Sequence, residues 1–332
     1  MHRHRAETPF LPGASRPARR RTVAAEDFEE LAALVVDASV TDVLVVGDGG
    51  TWVDRGAGLE RVRPHLPERR VRELAAELVA RGWRHVDEST PCADVRHGDG
   101  IRVHVVLSPV AVGGTALSIR LPRPELPTLA GLERAGAFTR VPRSVVERAV
   151  EARRNVLVTG ATGSGKTTVL AAMLGAVPRS ERIVTVEDVA ELRIDHPHVV
   201  ALEARQPNAE GAGAIPLGRL VREALRMRPD RIVVGECRGA EVRELLSALN
   251  TGHDGGAGTV HANGLDDVAA RLEALGALAG LGPEALARQA VSAIDLVLHL
   301  ERRGGRRRVA AVGRLRTDPD GRLVVRPEDG RR

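Results

Sequence analysis

The chain has 332 residues, 43% of them hydrophobic and only 2% aromatic, with no Tyr, three Phe and two Trp. That length leaves room for two domains of ordinary size, with cores built from Val, Leu, Ile and Ala. The formal charge is +5, but no aromatic residues interleave the basic runs at Arg19-Arg20-Arg21 and Arg306-Arg307-Arg308, which argues against a base-stacking nucleic-acid surface.

The first 22 residues are rich in Arg, Pro and small polar residues and read as a disordered basic tail. Residues 23–121 read as a small α+β domain. Glu26 to Ala38 has helical apolar spacing, Val43–Val46 and Thr51–Asp54 form a hairpin around Gly47-Asp48-Gly49-Gly50, and a helix starts at Pro67. Strands follow at Arg102–Leu107, after an Asp99-Gly100 turn, and at Ala116–Leu121. Residues 122–143, which open with three prolines in Pro122–Pro127, read as a linker.

Residues 144–316 alternate between helix and strand. Helices are expected at Ser144–Arg154, Thr167–Ala176, Pro216–Met227, Ala240–Leu249, Leu265–Leu278 and Pro283–Ile294. Strands are expected at 155–159, 182–186, 199–202, 231–234, 297–300 and 309–315. Such alternation predicts an α/β domain with a mostly parallel sheet covered on both faces. Residues 317–332 read as a C-terminal tail. The two cysteines, Cys92 and Cys237, have neither metal nor disulfide spacing and fit a reducing compartment. No signal peptide is found, and no apolar run approaches the ~18 residues of a membrane span. A soluble cytoplasmic protein without a transmembrane segment is therefore expected.

Chemistry concentrates in three places. Gly160-Ala161-Thr162-Gly163-Ser164-Gly165-Lys166-Thr167-Thr168 matches G-x-x-x-x-G-K-[ST] between an apolar strand and a helix. Its glycines allow backbone N–H groups to face the phosphates of ATP, and the helix aims its positive end at them. Lys166 is the only lysine among 49 Lys plus Arg. A compact ammonium fits between a glycine loop and a phosphate chain where a planar guanidinium does not. The Thr167 hydroxyl is the expected Mg²⁺ ligand.

The strand Arg231-Ile232-Val233-Val234 runs into Gly235-Glu236, which puts a carboxylate where it can polarise an attacking water. Gly235 stands where many P-loop enzymes carry a Mg²⁺-linked aspartate, so a second acid must help order the metal shell through water. Glu187, at the end of another apolar strand, is the candidate; the rival reading is a cap or surface acid. The third place is the glycine-rich run Asn250 to Asn263, which ends at His261 and is expected to sense the γ-phosphate and move. Metal sets built on His253 with His261, or on Asp195, His196 and His198, are discounted on spacing, and Cys237 reads as a small buried residue. Arg102 and Arg120 are candidates for the added arginine that phosphoryl transfer requires.

Four blocks together resemble the secretion-ATPase superfamily of type II and type IV secretion and pilus assembly. They are the P-loop, the acidic box Ile183–Glu191, the block Leu225-Arg226-Met227-Arg228-Pro229-Asp230 through Gly235-Glu236 to Gly239, and the histidine box Thr251–Asn263. The resemblance extends over about residues 40–316, makes Gly235 normal for the family, and implies a RecA-like ATPase domain behind the smaller N-terminal domain. It further implies hydrolysis of ATP with Mg²⁺, a homo-hexameric ring, and peripheral attachment to an inner-membrane platform protein. Arg102 and Arg120 inherit from it an expectation of reaching the nucleotide. The four-cysteine zinc motif is missing, and Arg238-Gly239 is similar to the tight-adherence (Flp-type) pilus and conjugation branch. The leading expectation is a motor for pilus assembly or secretion that holds no stable nucleic acid. A DNA-transfer or helicase-like motor and a scaffold ring that scarcely turns over ATP are the alternatives.

Overall fold

The computed structural model describes residues 25–328 except 57, 99, 123–124, 206 and 208–210. The expected N-terminal tail and the Asp99 half of the expected turn lie outside the described residues.

A short 3-10 turn (Ala25–Leu31) and helix α1 (Ala32–Val36) lead into strands β1 (Asp42–Val46), β2 (Gly50–Asp54) and β3 (Leu59–Val62). Helix α2 (Glu68–Arg81) and strands β4 (Cys92–His97), β5 (Ile101–Val106) and β6 (Ala116–Arg120) complete this part. The six strands form one antiparallel sheet in the order β3-β2-β1-β6-β5-β4. Period-2 alternation drives its asymmetry: Val43, Val45, Val103, Val105, Leu117 and Ile119 are buried on one face. Helix α2 meets that face with Val71, Leu74, Ala75, Leu78 and Val79, spaced as one helical stripe.

Helices α3 (Leu129–Arg134) and α4 (Arg143–Glu151) then precede the alternating part. It contains β7 (Val156–Gly160), α5 (Lys166–Gly175), β8 (Ile183–Glu187), β9 (Val199–Glu203), α6 (Leu217–Ala224), β10 (Arg231–Val234), α7 (Val242–Leu249) and β11 (Ala257–His261). Helices α8 (Asp267–Leu278) and α9 (Pro283–Ala293) and strands β12 (Leu296–Arg303), β13 (Arg306–Thr317) and β14 (Leu323–Glu328) finish the chain. The eight-stranded sheet runs β14-β13-β12-β7-β11-β10-β8-β9. Its six strands from β12 to β9 are parallel, and β13 and β14 are antiparallel additions. The inner strands are buried on both faces, so Ile232 and Val234 enter one core while Val233 enters the other. This is the expected α/β architecture with a mixed, mostly parallel sheet behind an antiparallel N-terminal domain.

Two sequence expectations need correction. The stretch 317–332 is not simply a tail, because β14 pairs with β13 and buries Leu323 and Val325. The Asp318-Pro319-Asp320-Gly321 turn that closes the hairpin has Gly321 at φ 77° and Asp318 Oδ1 accepting from the N–H groups of Asp320 and Arg322. The second half of the expected linker is also structured. Thr128 caps α3 by accepting from Gly131 N–H at 3.0 Å, and Leu129, Phe138 and Val141 are buried in the core beside α4 and α5. Strand β3 is an exposed edge with no apolar alternation, so it carried no period signal.

Candidate active site

Strand β7 is buried along its whole length and delivers Gly160 to the mouth of the loop. A Cβ on Gly160 would lie 2.5 Å from the Leu300 carbonyl oxygen and 2.6 Å from Ser164 Oγ, so only glycine fits. Gly163 (φ 72°) and Gly165 (φ 99°) occupy the left-handed region that glycine alone enters freely. Helix α5 starts directly after Gly165, so its unpaired N–H groups point into the loop. Ser164 Oγ is buried and has no hydrogen-bond partner among the described residues. An orphaned hydroxyl in a glycine cradle is a donor suited to a phosphate oxygen.

Lys166 is 7% exposed, and its Nζ donates to the carbonyls of Gly160 (3.0 Å) and Ala161 (3.2 Å). Burial pulls its ammonium below the usual lysine value, Glu236 opposes, and Arg238 adds to the lowering. From the other side of the loop Arg307, at the start of β13, donates from Nε to the Gly163 carbonyl at 2.9 Å.

The acids gather at the C-terminal ends of β8 and β10, the edge where ligands bind in open α/β sheets. Glu236 contacts His261 Nε2 through one carboxylate oxygen and Arg238 Nη2, at 2.6 Å, through the other. Its turn is stitched to β11, with Thr259 Oγ1 donating to the Gly235 carbonyl (2.7 Å) and Cys237 N–H donating to Thr259 O (2.8 Å). His261 Nδ1 lies 3.3 Å from Lys166 Nζ. Burial and then Lys166 hold the imidazole below its ordinary pKa, against Glu236. The neutral tautomer with its proton on Nε2 lets Nδ1 accept from lysine and turns the N–H side of the ring towards the glutamate.

Glu187 is 5% exposed, and burial pushes its carboxyl up to about 7 against hydrogen bonds from the Glu191 and Leu192 N–H groups. Both N–H groups reach Oε1 at 3.1 Å. The side chain lies across Gly235, where an added Cβ would come within 2.5 Å of Glu187 Cγ. The glycine that displaces the usual aspartate therefore makes room for a neighbouring acid. Gly235→Ala is expected to destabilise the protein by about 1–3 kcal/mol through overpacking, read as a lowered melting temperature. Adding Glu187→Ala should recover part of that loss; if Gly235→Ala melts like the parent, the contact is not tight.

Arg102, Thr167, Glu187, Glu236 and Arg238 line one open cleft. Lys166 and His261 adjoin it through Glu236. Arg120 does not line it: its side chain is 68% exposed and its Nε lies 3.3 Å from Asp42 within the same sheet. The glycine stretch 250–256 is also elsewhere. Ala257 pairs with Val156 and His261 with Gly160, so the stretch sits at the opposite end of the sheet from the P-loop. Asn155 Oδ1 accepts from the N–H groups of Gly255 and Gly256 at 3.0 Å, and the buried Arg231 packs against Gly255. This is an anchored turn, and β11 alone carries His261 to the site.

Cys237 is buried and its thiol pKa is pushed up by burial, which disfavours a nucleophilic role. Among the described residues no group of three His, Cys, Asp or Glu could hold a metal ion. A divalent ion would need phosphate oxygens to complete its shell, which suits Thr167 and the cleft carboxylates as partial ligands. Sequence reasoning gave no site role to Arg238 or Arg307, whereas it assigned Ser164 to the phosphates with the rest of the P-loop. Arg238 follows two residues after the strand-end acid, but nothing local marks Arg307.

The profile of the family described as Type II/IV secretion system protein matches residues 24–318. A putative conjugal transfer protein of Mycobacterium tuberculosis is 52% identical over 284 residues, covering 83% of this chain and 81% of the relative. The conjugal transfer protein TrbB of Rhizobium radiobacter is 31% identical over 295 residues, 86% of each chain. Among solved structures, the Legionella pneumophila ATPase DotB has the same fold, with a TM-score of 0.59 at 20% identity over 91% of this chain and 80% of that one.

Proposed function

The chain belongs to the type II/IV secretion system protein family, and on that premise we propose that it is an ATP-hydrolysing motor of a secretion, conjugation or pilus-assembly machine. The observation that carries the reading is the contact chain Lys166–His261–Glu236 at the mouth of the P-loop. It joins a phosphate-neutralising cation to a carboxylate placed for water.

The loop N–H groups and Ser164 hold the phosphates of ATP, and Lys166 leaves the Gly160 and Ala161 carbonyls to neutralise their charge. Glu236 accepts a hydrogen bond from the attacking water, whose oxygen bonds to the γ-phosphorus as the bond to the β-γ bridging oxygen breaks. His261 orients Glu236 and reports lysine position to it. Arg102 and Arg238 supply guanidinium charge at the cleft. Thr167 would hold Mg²⁺ through its hydroxyl, and Glu187 and Glu236 would help to hold it through water. Bound there, it would offset charge on the phosphate oxygens.

The same reading makes the working unit a homo-hexamer that acts at the cytoplasmic face of an inner-membrane platform protein. Among the described residues no helix is long and apolar enough to cross a membrane; attachment through partners is part of the same reading. The names of its conjugal-transfer relatives favour a second reading, a DNA-transfer motor. Both are tested by ATPase assays and light scattering on purified protein with and without plasmid DNA. A Mg²⁺-dependent hexamer indifferent to DNA is expected. Turnover raised about tenfold by DNA and lost as salt displaces phosphate contacts would replace the first reading by the second, and a monomer without turnover would sink both.

A further inference from the structure

Two register pairs face each other beside the cleft. In the larger sheet Glu187 and Glu203 are opposite one another at the ends of β8 and β9. In the smaller sheet Arg96 and Arg102 are opposite one another on β4 and β5. Segment 188–192 runs between these pairs as irregular chain. Its N–H groups lack ladder partners and need other acceptors. Glu203 Oε2 accepts from Ala190 N–H at 3.1 Å, and Glu187 Oε1 accepts from Glu191 and Leu192 N–H at 3.1 Å each. Three consecutive backbone donors are thus tied down by two carboxylates on neighbouring strands.

The far side of the segment meets the N-terminal sheet. Glu191 Oε1 accepts from Arg102 Nη1 at 3.0 Å, while Asp94 Oδ1 accepts from Arg102 Nε at 3.0 Å. Arg96 Nη1 is 3.9 Å from Glu203. Two carboxylates from different domains therefore fix the plane of one guanidinium, and that guanidinium lines the cleft with Thr167 and Glu236.

We propose that Glu203 and Glu187 are positioning residues that brace segment 188–192 so that Glu191, with Asp94, aims Arg102 into the nucleotide cleft. This rests on reading the cleft as the site of ATP hydrolysis. Glu203 makes no contact with the P-loop or with Glu236 among the described hydrogen bonds and ion pairs, so it acts through the segment. The geometry also gives Glu187 a bracing role that needs no contact with a metal.

The test uses the full chain and two readouts. Steady-state kinetics compare Glu203→Ala, Glu203→Gln, Arg102→Ala and the double variant Glu203→Ala with Arg102→Ala. Amide hydrogen exchange is followed over residues 188–192. Misaiming a guanidinium costs roughly ten- to a hundredfold in rate, so Glu203→Ala should lower kcat by that factor with KM and melting temperature nearly unchanged. Glu203→Gln should recover most of it, because the amide oxygen still accepts from Ala190 N–H. The double variant should be no slower than Arg102→Ala alone, since both changes break one pathway. Exchange at 190–192 should rise in Glu203→Ala.

The proposal is overturned if the two single effects multiply, if glutamine fails to recover the rate, or if exchange in the segment does not change. A parent protein without turnover, but with raised exchange in Glu203→Ala, would defeat the reading of the site while upholding the brace.

Discussion

Replacing Lys166 by alanine is expected to cut ATP turnover by about a hundred- to a thousandfold, and replacing it by arginine to restore almost none of the loss. The alanine effect follows from charge: a buried ammonium beside a phosphate chain acts in a low-dielectric site, where its field is poorly screened. Burial already depresses the Lys166 pKa, and the negative phosphates of a nucleotide push it back up. The lysine is therefore charged when it matters, and alanine removes that charge.

The arginine effect follows from shape. Lys166 Nζ reaches the Gly160 and Ala161 carbonyls and His261 Nδ1, all within 3.3 Å. A point cation on a thin stem satisfies these acceptors, whereas a planar fork needs a wider opening. This chain places arginine at every other Lys-or-Arg position, so its own composition makes Lys166→Arg an informative substitution. Phosphate release at saturating ATP is the measurement. Turnover by the arginine variant within threefold of the parent would refute the steric account. The same result for alanine would refute the role of the charge.

Much of this site was legible because its chemistry fixes a short stretch of chain. The P-loop needs its glycines, its lysine and its flanking strand in sequence order, and all are adjacent. Glu236 was legible as a candidate because it follows a buried strand at the edge where ligands bind in open α/β sheets. What escaped was whatever depends on neighbours across strands. Gly235 owes its identity to Glu187, two strands of sequence away, whose side chain occupies the space a Cβ would take. Arg307 meets Gly163 only because β12 lies beside β7. Glu203 gains its contact to Ala190 N–H from the β8–β9 register.

The glycine stretch before β11 was misplaced for a different reason. Glycine marks a turn but does not say at which end of the sheet the turn lies. Only the pairing of Ala257 with Val156 decides it. Arg102 and Arg120 looked equivalent because both sit on strands of one sheet, and they are in fact cross-strand partners. The difference lies in what faces them: Glu191 from the other domain meets Arg102, whereas Asp42 from the same sheet meets Arg120. Strand β3 was missed because it is exposed along most of its length and shows no alternation, and β14 was assigned to a tail although Leu323 and Val325 alternate on its buried face.

Glu236→Gln is the second large effect, an expected loss of about 10²–10⁴ in turnover with nucleotide binding retained. Glutamine keeps the volume, the oxygen that accepts from Arg238 and a place beside His261, so the cleft should hold its shape. What it loses is the full negative charge that draws a proton from water as the oxygen attacks phosphorus. The carboxylate is flanked by two groups with opposite consequences. His261, kept below its ordinary pKa by burial and by Lys166, sits against one carboxylate oxygen without bringing a full cation. Arg238, 2.6 Å away, brings a full cation, which competes with water for the same oxygen.

For Glu236 to act on water, Arg238 has to share or leave that contact. Its side chain is 59% exposed, so moving it exposes little new surface and breaks an ion pair worth only about 1 kcal/mol at such a position. The acid is thereby kept oriented at small energetic cost until phosphate oxygens offer the guanidinium a stronger partner. Binding of a fluorescent ADP analogue and single-turnover phosphate release separate the steps. If Glu236→Gln binds normally and hydrolyses within threefold of the parent, the water is polarised elsewhere, and Glu187 or Asp188, which also lines the cleft, inherits the role. If binding is lost with turnover, Glu236 holds the nucleotide or its metal rather than the water.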